Sequence, residues 1–182
     1  MSTQPTSPIL IQADQLFDGV NGVVQRGQAV LVSGERIAAV GPKDALQAQM
    51  PPATTVVDLG AACLAPGLID SHTHLSLAGD GRPYAEMFSE SDEMMMLTGA
   101  MNLRRHLAAG ITTIREHGAR NKVGFVLKAG LERGYVPGPR MLVSGRPITC
   151  TGGHFHFCNE IADGEDEIRK SVRRLVHEGA DY

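Results

Sequence analysis

The chain has 182 residues, 42% of them hydrophobic and 20% charged, with a net charge of -3. This is ordinary globular composition with enough length for one core, and it excludes a disordered tail. Without a basic footprint, a block of like charge or a run of about 18 apolar residues, nucleic acid and a membrane span are set aside as well.

The start, Met1 to Pro8, is polar, with neither the basic stretch nor the apolar core of a secretory leader, so a cytoplasmic location is expected. Cys63, Cys150 and Cys158 make an odd count without C-x-x-C spacing, which argues against a disulfide framework and a structural zinc knuckle. Cys63 is expected to pack, and the other two to sit in a polar loop.

The first sixty or so residues read as all-β. Ile9 to Ile11 and Leu16-Phe17 are short apolar pieces, and Ala29 to Val32 and Ile37 to Val40 flank Ser33-Gly34-Glu35-Arg36, a hairpin signal. After Pro51-Pro52, Thr55 to Leu59 gives one more strand. The segment has too few strands to close a sandwich and is expected to need strands from elsewhere.

Leu64-Ala65-Pro66-Gly67-Leu68-Ile69-Asp70-Ser71-His72-Thr73-His74-Leu75 is a nearly continuous apolar run that stops at an acid and two histidines. It reads as a buried strand. Residues two apart on a strand point the same way, so His72 and His74 can place two imidazoles on one metal ion at the strand's end. Asp70 either orients a ligand histidine or ends the strand by accepting backbone N–H groups.

Beyond His74 the pattern alternates between helix and strand. A helix with Met96, Leu97, Ala100, Met101, Leu103, Leu107 and Ala108 as its core face opens at Ser89-x-x-Asp92 and stops at Gly110. Strand-like Ile111 to Arg115 ends in Glu116-His117-Gly118, with Arg115 and Glu116 expected to pair structurally. A second helix has Val123, Val126, Leu127 and Leu131 as its face and ends at Gly134. Met141 to Ser144 is a third strand, followed by the loop Thr151-Gly152-Gly153-His154-Phe155-His156. A third helix opens on Glu165, Asp166 and Glu167, with Ile168, Val172, Leu175 and Val176 as its face and Gly179 at its end. His106 and His177 lie near helix C-termini, where positive charge is favourable, and need no catalytic role.

Repeated strand, loop and helix units with apolar strands imply parallel pairing under a cover of helices. Ligands in such sheets sit at the carboxyl ends of strands, where Asp70 to His74, Arg115 to His117 and Thr151 to His156 all fall. His154 and His156 are candidate substrate contacts on a loop.

Pro66 to His74 resembles the signature of the amidohydrolase superfamily. Gly110-Ile111-Thr112-Thr113-Ile114-Arg115-Glu116, Gly138-Pro139-Arg140, Ser144-Gly145-Arg146, Thr151-Gly152-Gly153-His154 and Glu178-Gly179-Ala180-Asp181-Tyr182 are similar in order and spacing to its imidazolonepropionase-like and prolidase-like branch. Glu116 stands where an aspartate is more usual, and His117 where the residue is often small or apolar.

The resemblance implies an α/β chain: the start of a (β/α)8 TIM barrel of about three strand-helix units over 64–182, preceded over 1–63 by strands of a composite β-sandwich. It implies one or two divalent metal ions, zinc foremost, activating water to attack an amide or peptide-like bond in a small molecule. His72 and His74 map onto the family's first ligand pair. Its bridging lysine and later ligands would lie beyond Tyr182, so the chain is expected to be the N-terminal part of a longer enzyme, partnered by the rest of the barrel or another copy. The competing readings are a non-catalytic fragment or interaction module, and a metal-dependent deaminase of a cyclic substrate.

Overall fold

The computed structural model describes residues 7–83, 86 and 89–182, so of the polar start only Ser7 and Pro8 lie among the described residues. The chain divides into two compact units, Met1–Pro66 and Gly67–Tyr182.

The first unit holds β1 Ile9–Gln12, β2 Gln15–Phe17, β3 Val24–Arg26, β4 Gln28–Ser33, β5 Arg36–Pro42, α1 Lys43–Gln49, β6 Thr55–Asp58 and β7 Cys63–Leu64. They form a four-stranded sheet in the order β5-β4-β1-β6 and a three-stranded sheet in the order β3-β2-β7. The β4–β5 pair is the hairpin expected from sequence, turning on Gly34 at φ 59 with Ser33 opposite Arg36. Alternation along β1 buries Leu10 and Gln12. Gln12 keeps its amide satisfied by donating to Asp58 at 2.6 Å and accepting from Gln47 of α1 at 3.0 Å.

The all-β expectation is corrected by α1. Its sequence, KDALQAQ, consists mostly of good helix formers and directly follows Pro42. Cys63 is exposed rather than packed, because the two-residue β7 pairs with β2 through its backbone and leaves the thiol outside.

The second unit holds β8 Leu68–Thr73, α2 Asp92–Ala108, β9 Ile111–Glu116, α3 Val123–Glu132, β10 Arg140–Val143, a 3₁₀ turn at His156–Cys158, and α4 Glu165–Glu178. The sheet runs β10-β9-β8 and every pair is parallel, as the alternating pattern requires. Its core gathers Met95 and Leu103 of α2, Ile114 of β9, Val123 and Leu127 of α3, and Met141 and Val143 of β10. Close approach explains one glycine: a Cβ on Gly67 would lie 2.1 Å from Thr112 Oγ1, so only glycine lets β8 start beside β9.

Four expectations change here. β8 is an edge strand and is not buried: Leu68 and Ile69 are 61% and 69% exposed. The cap of α2 is Ser91, whose side chain accepts from the backbone of Met94, while the Ser89 hydroxyl donates to the carbonyl of Glu86. The buried face of α2 is Met95, Gly99, Asn102 and Leu103, leaving Leu97, Met101 and Leu107 exposed. Apolar residues occur all around this helix, so their spacing alone did not single out the packed face. On α4, likewise, Leu175 is buried while Ile168, Val172 and Val176 are exposed. Among the described residues, no helix is long and apolar enough to cross a membrane.

Candidate functional site

The carboxyl ends of the parallel strands carry a cluster of imidazoles. β8 continues through His72 to Thr73, but its pairing with β9 shifts between Asp70 and Thr73. Such irregularities re-aim side chains. The rings of His72 and His74 lie with centroids 5.2 Å apart and planes at 80°. They converge on the strand end without stacking.

Each ring has its own support. His74 Nδ1 lies 3.3 Å from the carbonyl oxygen of Gly118. A carbonyl only accepts, so the neutral ring carries its proton on Nδ1 and leaves the Nε2 lone pair available. Burial pushes the His74 pKa below its ordinary value; the Gly118 bond opposes this, and positive charge on His72, His117 or His154 would push it lower still. His72 stacks on His117 at 4.2 Å with planes 7° apart. The Nε2 of His117 lies 2.7 Å from the carbonyl oxygen of Ser71, which places that ring's proton by the same reasoning. Gly118 makes the turn, at φ 134 and with Pro147 so close that a Cβ would sit 2.2 Å from its Cγ.

Arg115 and Glu116, expected to pair with each other, do not. Neighbours on a strand face opposite ways. The Arg115 guanidinium lies over the Tyr182 ring, 4.1 Å from its centroid. Glu116 is fully buried, and its Oε2 accepts from the backbone N–H of Gly118 at 3.1 Å. Burial pushes its carboxyl up to about 8, so it is largely neutral at pH 7. Cys158, assigned from sequence to a polar loop, is buried nearby, and burial pushes its thiol up to about 12.

The remaining candidates separate. Asp70 accepts from the backbone N–H of His72 at 3.1 Å and approaches His106 Nε2 at 3.8 Å. This is the backbone-accepting alternative; among the described residues no hydrogen bond joins Asp70 to the ring of His72 or His74. His154 lies edge-on to Phe155 at 4.5 Å, and Phe155 in turn stacks on His74 at 4.9 Å. His156 bonds back to its own loop, with Nδ1 3.0 Å from the carbonyl oxygen of Gly153. The strand ends therefore bring together His72, His74, His117 and His154, but not His156.

The strand-end segments singled out from sequence included His117 and Phe155, but neither residue was given a role. A signal for His117 existed, since it directly follows a strand parallel to β8, with Glu116 opposite Thr73. Among the described residues, no three His, Cys, Asp or Glu side chains are arranged around one metal position. Two imidazoles could hold a divalent ion such as zinc and would supply two of its four tetrahedral ligands.

Comparison with known proteins shows what the chain resembles as a whole. A family model described as the amidohydrolase family matches residues 63–182, and one for the imidazolonepropionase-like composite domain of bacteria matches residues 29–49. The chain is 29% identical over 135 residues to an imidazolonepropionase of Fusobacterium nucleatum, covering 61% of this chain and 32% of that protein. With an imidazolonepropionase of Cutibacterium acnes it shares 37% identity over 101 residues, or 56% and 22% of the two chains. The fold matches a Xaa-Pro dipeptidase with bound methionine at a TM-score of 0.81 and 23% identity, over 96% of this chain and 46% of that one. It matches a prolidase complexed with N-methylphosphonate-L-proline at 0.78 and 25% identity, over 96% and 45%. The chain thus spans a third or less of these curated relatives and under half of the matched structures.

Proposed function

The chain belongs to the amidohydrolase family, and from that premise we propose that it supplies part of a divalent-metal-dependent hydrolase acting on an amide or peptide-like C–N bond in a small molecule. The imidazolonepropionase relatives and the prolidase-like structural neighbours support the C–N bond. In this reading residues 1–63 contribute strands to a composite β-sandwich and residues 64–182 the first strand-helix units of a (β/α)8 barrel. Further units of that barrel would cover Leu68, Ile69 and the exposed faces of α2 and α4.

The observation that carries the proposal is the convergence of His72 and His74 at a parallel strand end, with the Nδ1 proton of His74 directed to the Gly118 carbonyl. These two residues would hold the ion, zinc being the natural choice for imidazole donors. The chemistry supplied by a bound divalent ion is polarisation of the scissile carbonyl and lowering of a water's pKa towards about 7.

The chain's own residues do the rest. The Gly118 carbonyl fixes the tautomer of His74, as partners behind metal-binding histidines do. Burial keeps that imidazole neutral and its lone pair available. His117, anchored on Ser71, backs the ring of His72. Asp70 holds the backbone at His72 and so acts behind the pair. His154 and His156 on the loop after β10 are the candidate substrate contacts; His154 packs on Phe155 beside His74, whereas His156, bonded back to Gly153, would have to turn to reach the site.

Replacing His72 and His74 together by alanine in the full-length protein should remove its metal and its hydrolysis of a dipeptide and cyclic-amide panel. Unchanged zinc content by elemental analysis would refute the ligand assignment.

A further inference from the structure

The loop between β10 and α4 is anchored more heavily than a connection needs. Its ends meet where Thr149 pairs with Ile161 and the Thr149 N–H donates to the Glu160 carbonyl at 3.1 Å. Beside them, Asp163 accepts from both the backbone N–H and the hydroxyl of Thr151. Glu160 is buried and takes Arg146 Nε at 2.8 Å and the guanidinium of Arg174. Arg146, also buried, reaches Glu178 at 2.7 Å and the Asn121 carbonyl at 2.9 Å. Burial would raise the Glu160 carboxyl, but hydrogen bonds from Ser171, Arg174 and Arg146 hold it below its ordinary value. Buried ion pairs of this kind are costly to break from one side, so the base of the loop is fixed.

Within this frame sits a bulky aromatic in an unfavourable backbone conformation. Phe155 has φ 60 and ψ 22, in the left-handed region. A non-glycine residue stays there only when its surroundings over-determine it, and such residues gather at functional sites. The buried ring of Phe155 stacks on His74 at 4.9 Å with planes 25° apart, and His154 and Phe157 pack around it. Among the described residues, the one hydrogen bond at the His74 ring is the long one of 3.3 Å to Gly118, and His72 meets the ring only edge-on. A single such bond leaves the ring free to rock; an aromatic face laid along it does not.

We propose that Phe155 is a positioning residue: the clasped loop pays for its left-handed backbone, and its ring holds the His74 imidazole in the one orientation in which the Gly118 carbonyl fixes its tautomer. The proposal rests on His74 being a metal ligand.

In the full-length protein, zinc affinity measured by competition with a chelating dye should fall about 10- to 100-fold in Phe155→Ala and be kept in Phe155→Tyr. Asn159→Gly relieves the loop's other left-handed non-glycine residue, whose side chain bonds Asn121 instead, and should leave affinity unchanged. Side-chain ¹⁵N spectra of the metal-free protein should show one His74 tautomer in the wild type and averaged tautomers in Phe155→Ala. Phe155→Leu, which keeps apolar bulk without a ring face, should show the same averaging if the alanine variant does not fold. Wild-type affinity and a single tautomer in Phe155→Ala, with zinc lost from His74→Ala, would overturn this proposal alone. Zinc retained by His74→Ala would overturn the ligand reading and this one with it.

Discussion

Glu116 and His117 are adjacent in sequence and opposite in environment. One side chain is sealed in the core; the other lies at the strand mouth against His72. In the folded state burial raises the Glu116 carboxyl from 4.5 to about 8. Between those values the folded chain binds the proton that the unfolded chain releases, so stability falls as pH rises from about 4.5 and levels off above about 8. The expected slope is about 1.4 kcal/mol per pH unit within the window. Glu116→Gln should flatten it, as read from urea midpoints at a series of pH values; a variant that keeps the wild-type slope would show that another group is responsible. Neither residue's role could be read from its own identity. The strand face decides burial and the register with β8 decides the stack, and both are long-range facts.

At the scale of elements, the parallel strands and the ends of the helices were legible because local chemistry sets them. Acids open α4, Gly179 closes it at φ 105, and Gly110 follows α2 at φ 82. Which face of a helix is buried was not legible, since α2 is apolar on more than one side and Leu97 and Met101 are as hydrophobic as Leu103. The cap was misplaced by two residues because Ser89 and Ser91 both precede the helix, and only geometry shows which side chain meets the free N–H of Met94. Ser91→Ala should therefore cost about 1 kcal/mol in chemical unfolding and Ser89→Ala much less. Equal losses would place the cap elsewhere. Helix α1 was missed for a related reason, its seven residues being too short to show a hydrophobic period.

At the scale of the molecule, the sequence carried the family, and the meeting of two histidines at a strand end, further than it carried packing. His72 and His74 were readable because a His-x-His pair after an apolar strand is a local pattern, and the structure brings their rings to 5.2 Å at that strand's end. What packs on them, His117 just after β9 and Phe155 from the clasped loop, comes from residues more than 40 positions away, so the contacts themselves lie outside any local pattern even where the strand end that carries His117 was readable. The exposed apolar faces of β8, α2 and α4 fit a unit of a larger barrel, in agreement with a chain that covers under half of its structural neighbours. Whether this strand end holds a metal ion can be read from anomalous X-ray scattering at the zinc edge, recorded on crystals of the full-length protein. A bound ion would give a peak about 2.1 Å from one ring nitrogen each of His72 and His74. A zinc peak bonded to other residues, with these two imidazoles out of reach, would contradict the ligand assignment.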